Sequence, residues 1–334
     1  MLRYIIKMIE VNNFKKGIVI IPTQGLGNRL RMMACGYALS NYINLPLHVI
    51  WNKTPDCFAS YDDLFGDNIF KVMTQDTLSK SKYLFFGNIH TNQFIGNISN
   101  IATEYDYLVI IGGHEFKHDK MNINDFLYQK SEFYSILKYS QIVNDIVSNY
   151  ESDMYKKYIG VHIRTFNNTF DSDDVMNPKF NNVFNPINFE INSPATEYFK
   201  IIDKIKDNIP LFIFSNNMNV IELFKNRYSN RKILNTSTCV FERDNNNAII
   251  YSLVEFILLS NSKLIIGTFF SSFSDEPSFL NFIPKITPIT DSVKTQPNLQ
   301  YIYHCHNYSV LKIKENEFYG LNLNNFHIIK YFNI

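Results

Sequence analysis

The sequence predicts an α/β fold of two Rossmann-like domains facing a cleft, each built on a parallel sheet, and three observations carry that prediction. Short apolar, β-branched runs alternate with segments of helical periodicity, the order that builds βαβ units. The runs are apolar throughout and do not alternate, as expected of parallel strands covered on both faces. The pattern then restarts near residue 155, where KKYIGVHIR reads as the opening strand of a second series. The 334 residues fit two domains at roughly 100–200 residues each. The expected division is an N-terminal domain over 1–152, a C-terminal domain over 153–300, and a tail over 301–334 that packs back on the fold.

In chain order, strands are expected at Gly17–Ile21, Leu47–Ile50, Tyr83–Phe86, Tyr107–Ile111, Tyr158–Ile163, Leu211–Phe214 and Leu264–Ile266. Helices are expected at Asn28–Ile43, Gln141–Tyr150, Pro194–Asp207, Asn219–Tyr228 and Asn247–Ser260. Residues 165–193 are rich in Asn, Asp and Pro and have no periodicity. A loop of that length inside a compact domain is usually functional or mobile.

Composition narrows the function classes. Hydrophobic residues make up 46% and charged residues 19%, enough for a packed core. A net charge of +1 provides no field to recruit nucleic acid or an anionic membrane. No apolar run approaches the length of a transmembrane helix, and the first residues lack a signal peptide's apolar block and cleavage site. Cys35, Cys57, Cys239 and Cys305 form no CxxC pair and fit no zinc spacing. The expectation is a reduced, cytoplasmic protein with no metal site. Cys305 stands between His304 and His306, but alternating faces of a strand explain that pattern more simply than a metal.

Four segments carry chemistry. The first is the turn Gly25-Leu26-Gly27-Asn28-Arg29-Leu30 after the opening strand. A Gly-rich turn feeding a helix presents free N–H groups and the positive end of the helix dipole, which suit a phosphate. The dinucleotide fingerprint is not met: Leu30 holds the third glycine's place, and no acid ends the second strand. No GK[ST] follows, so it is not a Walker loop. The alternative is a plain turn in which Asn28 is the N-cap. The second segment is IGVHIRT, with His162 and Arg164 two residues apart at a strand's carboxyl end, where ligands of open α/β sheets bind. Arg is suited to a diphosphate. Alone, a histidine such as His162 is more often a satisfied core residue and an arginine such as Arg164 more often a salt-bridge partner.

The third segment is LFIFSNNMNVIELFKNRY, in which Asn216 and Asn217 form a polar turn between strand and helix. The fourth runs from Asn247 to Leu280. It places Glu255 on an apolar helix, where a carboxylate needs a partner, and then Thr268, Ser271, Ser272 and Ser274 after a strand. Hydroxyls in such a turn can bind phosphate oxygens, although loop serines are commonplace.

With GLGNRLR, GVHIR, SNNMNVIELFKNRY and LLSNSKLIIGTFFSSFS in this order across most of residues 18–280, the chain resembles the fucosyltransferase superfamily of GT-B fold. That superfamily includes the α1,6-fucosyltransferases and the protein O-fucosyltransferases, and the likeness is greatest to small bacterial and viral members. The resemblance implies an inverting, metal-independent transfer of L-fucose from GDP-fucose to a glycan, lipid-linked sugar or polypeptide hydroxyl, with no cofactor besides the donor. By resemblance, Gly25, Gly27, Asn28 and Arg29 line the diphosphate side. Arg164 matches the arginine at the leaving diphosphate, and His162 lines the nucleotide pocket. Asn216 and Asn217 fall where α1,6-enzymes carry two acids, Glu255 at the guanine or ribose side, and Thr268, Ser271, Ser272 and Ser274 in the phosphate-binding segment. Asp171, Asp173 and Asp174 follow Arg164 at roughly the spacing of a catalytic base.

Departures matter. Arg164 is followed by Thr165, where α1,6-enzymes have a second arginine, and the double acid has become Asn216–Asn217. A donor carrying UDP or dTDP, or a non-catalytic nucleotide- or glycan-binding member of the family, are the alternatives.

Overall fold

A computed structural model describes residues 16–68, 70–89, 93–95, 105–118, 120–151, 157–164, 193–205, 208–236, 243–269, 271–281, 283–289 and two short strands at 317–318 and 321–322. The chain divides into two compact units, residues 1–144 with 242–250 and residues 145–241 with 251–334. This differs from the single boundary expected at 152/153. The return of 242–250 to the first unit has a local cause: the Phe58 N–H donates to the Arg243 carbonyl at 3.2 Å, and Arg243 pairs with Asp56 at 3.8 Å. Apart from the two paired strands at 317–318 and 321–322, the tail lies outside the described residues.

The first unit holds a five-stranded, wholly parallel sheet. Its strands are β1 (Gly17–Pro22), β2 (Leu47–Val49), β3 (Lys71–Val72), β4 (Tyr83–Ile89) and β6 (Tyr107–Gly112), in the order β3-β2-β1-β6-β4. Two further short strands, β5 (Gln93–Ile95) and β7 (Phe116–His118), pair with each other. Every residue of β1 is buried, as a central strand with both faces covered requires. Val19, Ile21, Ile50, Met73, Leu78, Tyr107 and Val109 form one core cluster.

Helix α1 (Leu26–Ile43) is buried along most of its length and ends in a left-handed C-cap at Asn44, φ 55°. It lies close to the sheet because residue 36 is glycine. A Cβ there would stand 2.4 Å from Ile20 Cγ1. The tight helix–strand approach that a dinucleotide fingerprint assigns to its third glycine is thus obtained two turns later.

The sequence reading missed three helices of this unit: α2 (Tyr61–Leu64), α3 (Gln75–Ser79) and α4 (Ile123–Ile136). The first two are too short for periodicity to show. In α4 the stripe Phe126, Lys130, Phe133, Tyr134 is buried and includes a lysine, which breaks the apolar pattern. Lys130 is accommodated by an ion pair with buried Glu115 at 2.7 Å.

The second unit repeats the plan. Strands β8 (Ile159–Ile163), β9 (Leu211–Ser215), β10 (Ile233–Leu234), β11 (Leu264–Gly267) and β12 (Lys285–Ile286) form a parallel sheet ordered β10-β9-β8-β11-β12. Helices α5 (Gln141–Glu151), α6 (Ala195–Ile202), α7 (Met218–Arg227) and α8 (Asn246–Ser260) match expected elements. One further helix, α9 (Ser272–Leu280), begins where the sequence reading placed a serine-bearing turn, and it holds Pro277 inside it. The core runs from Ile159, Val161 and Ile163 to Tyr198, Ile202, Leu211, Ile213, Phe224 and Ile266.

Gly36→Val is expected to lower stability by about 1–3 kcal/mol, the usual cost of overpacking. Ile20→Ala in the same chain should recover part of that loss. Urea unfolding followed by the fluorescence of Trp51, the single tryptophan, measures both.

Candidate functional site

In the first sheet, β2 and β3 lie on one side of β1 and β6 and β4 on the other. The carboxyl end of β1 is therefore a topological switch point, where such sheets bind ligands. The turn leaving β1 is held against the turn leaving β6. The Thr23 N–H donates to the Gly112 carbonyl at 2.8 Å. Gln24 adopts a left-handed conformation, φ 66°, rare for a non-glycine residue. Gly113 leaves room for it, since a Cβ there would stand 2.6 Å from Gln24 Cδ.

Helix α1 begins at Leu26 with Gly25 as its N-cap, and no side chain caps it. The alternative in which Asn28 is the N-cap is therefore corrected: Asn28 is the third helical residue, and its Nδ2 donates to Gln24 Oε1 at 2.6 Å. Gly25 and Gly27 keep side chains away from the dipole's positive end.

Arg29 is fully buried. Its Nε donates to the Gln24 carbonyl at 2.8 Å, one terminal nitrogen to the Asn52 carbonyl at 2.6 Å, and the other to Thr54 Oγ1 at 2.7 Å. The guanidinium also stacks over Trp51 at 4.8 Å. Arg29 thus ties the β1 turn to the segment after β2, and each of its nitrogens bonds to the protein itself. Burial lowers its pKa, with Cys57 and Asp56 opposing. Cys57 is a buried free thiol pushed up to about 11, chiefly by burial.

In the second sheet, β9 and β10 lie on one side of β8 and β11 and β12 on the other, so the β8–β11 edge is the equivalent switch point. His162, Arg164 and Thr268 stand there. His162 is 5% exposed, packs against Phe273 at 5.2 Å, and its buried Nδ1 has no hydrogen-bond partner. Burial, and then the charge of Lys285, pull its pKa down to about 3. With its pKa that far below 7, it is a neutral imidazole at physiological pH. Arg164 is half-buried just past the strand end.

The hydroxyls divide into two sets. Thr268 Oγ1 accepts the Arg164 N–H at 2.8 Å and donates to the His162 carbonyl at 3.0 Å. Ser274 donates to the Thr268 carbonyl at 3.2 Å and the Ser271 carbonyl at 3.1 Å. Both are wholly buried, so each serves the protein's own backbone. Ser271 is the N-cap of α9 and its side chain makes no cap bond; Ser272 is the first helical residue. These two remain at a helix N-terminus, a site for an anion. Behind them Asp275 and Lys285 form a fully buried ion pair.

Asn217 caps α7, its side chain accepting the Asn219 N–H at 2.9 Å, and Asn216 is half-buried beside it. Glu255 is half-buried as a residue, with its carboxyl group deep enough that burial raises its pKa to about 7; a hydrogen bond from Thr236 opposes the rise. Asp171, Asp173 and Asp174 lie outside the described residues. Sequence reasoning missed Gln24, Tyr198, Thr236 and the Asp275–Lys285 pair. Each is unremarkable in sequence and is defined by partners 10 or more residues away or by backbone conformation.

Two parallel-sheet units with these switch points make up the GT-B fold of solved fucosyltransferases. No protein-family model matches the chain, and no curated protein matches its sequence. Among solved structures the chain is similar to the NodZ α-1,6-fucosyltransferase soaked with GDP-fucose, with a TM-score of 0.54 and 12% identity over 82% of this chain and 95% of that one. It is also similar to apo POFUT1, with a TM-score of 0.51 and 12% identity over 81% and 97% of the two chains. A mutant of Arabidopsis thaliana FUT1 in complex with GDP gives a TM-score of 0.51 and 14% identity over 82% and 70%. At these identities the likeness is one of fold. Among the described residues, no helix is long and apolar enough to cross a membrane.

Arg29→Lys is expected to destabilise the protein by about 2 kcal/mol or more, because an ammonium cannot serve three acceptors in a fork; chemical denaturation checks it. For His162, the folded pKa of about 3 lies below the ordinary 6.5, so the unfolded chain takes up the proton first as pH falls. Stability should therefore drop from pH 6.5 downward, and the melting temperature of His162→Gln should fall less steeply than that of the wild type between pH 6.5 and 5.

Proposed function

We propose that the protein is a metal-independent, inverting glycosyltransferase that moves L-fucose from GDP-fucose to a hydroxyl of a glycan, lipid-linked sugar or polypeptide. The observation that carries this reading is the cluster at the β8–β11 switch point: neutral His162, Arg164 and the α9 N-terminus at Ser271 and Ser272. The fold shared with fucosyltransferases solved with GDP or GDP-fucose supports it. Among the described residues, Cys35 and Cys57 are buried and form no disulfide, which supports a cytoplasmic site of action.

In the proposed reaction the anomeric C–O bond breaks with oxocarbenium character, and negative charge grows on the departing diphosphate. Arg164, the first N–H groups of α9 and the hydroxyls of Ser271 and Ser272 are assigned to that charge, in the manner of a preorganised oxyanion site. Gly25, Gly27 and Asn28 are assigned to phosphate binding at the first turn, whereas the assignment of Arg29 is to that turn's rigidity. His162 lines the nucleotide side with Asn216. Glu255 is assigned to a base or ribose donor, a role its raised pKa allows in either protonation state. An acid among Asp171, Asp173 and Asp174 takes the acceptor proton, and attack opposite the leaving group inverts the anomeric centre.

A second reading is a donor carrying UDP or dTDP, because Asn216 and Asn217 stand where α1,6-enzymes carry two acids.

Thermal stability with GDP, UDP, dTDP and CDP separates the readings. A nucleotide at 100 times its dissociation constant adds about 2.7 kcal/mol, and the expected result is a shift with GDP and none with the others. Arg164→Ala should slow transfer from GDP-fucose at least 100-fold, a loss of the size seen for oxyanion-type donors. Wild-type transfer by that variant would remove Arg164 from the mechanism. Proton NMR of the product should show an α-fucosyl linkage from the β-linked donor.

A further inference from the structure

We infer that Tyr198 and Thr268 are positioning residues that fix the backbone at Arg164. This inference rests on the donor-site reading of Arg164 given above. It changes the part that Thr268 plays, from a hydroxyl offered to phosphate to one turned away from it.

The argument begins where the sheet ends. The β8–β11 ladder stops at the pair His162–Gly267, and the β8–β9 ladder at Ile163–Ser215. Arg164 is the next residue, so the ladder no longer sets its backbone. Its N–H is taken instead by Thr268 Oγ1 at 2.8 Å. The same hydroxyl donates to the His162 carbonyl at 3.0 Å, and the Thr268 N–H reaches that carbonyl at 3.2 Å. Tyr198, from α6, brings its hydroxyl to 3.0 Å from the His162 carbonyl and 2.8 Å from Thr268 Oγ1.

A hydroxyl has one proton and two lone pairs. Thr268 accepts the Arg164 N–H, and the two hydroxyl protons of Thr268 and Tyr198 are shared between the His162 carbonyl and the contact linking the two hydroxyls, one donating to the carbonyl and the other to its neighbour. Neither side chain has any exposed surface, and burial raises the Tyr198 pKa, so the phenol stays protonated. A buried network in which each polar atom has a partner is stiff. Side chain 164 thereby leaves the strand from a fixed point, although the regular sheet has already ended. The next residue along from Thr268 extends the arrangement: the Phe269 N–H donates to Ser193 Oγ at 2.9 Å, and Ser193 donates to the Pro288 carbonyl at 2.5 Å. One short segment after β11 thus holds both residue 164 and residue 193.

Calorimetric titration with GDP, using the full chain, tests this in wild type, Thr268→Val, Thr268→Ser, Tyr198→Phe and Arg164→Ala, and in the double variant Thr268→Val/Arg164→Ala. Thr268→Val should weaken GDP binding about tenfold, or 1.4 kcal/mol, within the range of couplings inside one hydrogen-bond network. Thr268→Ser, which keeps the hydroxyl, should stay within about threefold of wild type, and Tyr198→Phe should fall between the two. In the Arg164→Ala background, Thr268→Val should cost nothing further, because the group it positions is gone.

If Thr268→Val and Tyr198→Phe bind GDP as wild type does while Arg164→Ala does not, the positioning role is overturned and the donor reading stands. If Thr268→Val weakens binding equally in both backgrounds, the residue acts on the fold or directly on the nucleotide, and the inference also fails. If wild type binds no GDP, or Arg164→Ala binds it unimpaired, the donor reading fails and the inference fails with it. Should Thr268→Val not fold, Tyr198→Phe decides the matter alone.

Discussion

A parallel strand that ends beneath a functional turn leaves peptide groups whose ladder partners are gone, and a buried peptide group must find another. In this protein the need is greatest at the carboxyl end of β8. The His162 carbonyl is met there by the Thr268 N–H and by the Thr268–Tyr198 hydroxyl pair, and the Arg164 N–H by Thr268. The remaining features of the second unit's site depend on this closure. It sets where residue 164 leaves the sheet and where the chain turns into α9. Because His162 follows an apolar strand into this closed corner, its ring is buried and neutral.

The first unit meets the same need by another route. Among the described residues, no threonine–tyrosine pair closes the end of β1. Arg29 reaches back instead to the Gln24 carbonyl and across to Asn52 and Thr54, while Gln24 takes a left-handed conformation beside Gly113. A buried guanidinium is a costly way to satisfy carbonyls unless its donors are used. Here its Nε and both terminal nitrogens donate, and its face stacks on Trp51. Strain at a non-glycine position persists where the surroundings over-determine it. The two units therefore share an architecture and a switch-point location while differing in what secures the turn.

These two solutions lead to different chemistry. The second unit's closure is made by neutral hydroxyls, beside a buried histidine and the N-terminus of α9. The first unit's closure consumes its cation internally and offers backbone N–H groups at Gly25 and Gly27. A site that stabilises a departing diphosphate needs donors already in place when the charge appears. Rigid strand ends supply that better than long side chains on mobile loops. Burial raises the Glu255 pKa to about 7, and the hydrogen bond from Thr236 opposes that rise.

Much of this was legible in the sequence, and the limits have physical reasons. The seven expected strands were readable because each is an apolar run between turn residues, and burial on both faces is a property of composition. The βαβ opening and the restart at KKYIGVHIR followed from the same signal. His162 and Arg164 were read at a strand's carboxyl end and Ser271 and Ser272 in the turn after a later strand, while their roles came from the family resemblance. Local sequence could not supply partners. Whether Thr268 faces a ligand or the backbone depends on Tyr198, 70 residues away. Whether Arg29 is free depends on Asn52 and Thr54. Helix α4 was hidden because Lys130 breaks its apolar stripe until Glu115 arrives from another element, and α9 because Pro277 argues against a helix that packing nonetheless favours. Backbone periodicity is a short-range property written along the chain. The satisfaction of buried polar groups is a long-range one, decided only when the chain brings distant residues within hydrogen-bond reach.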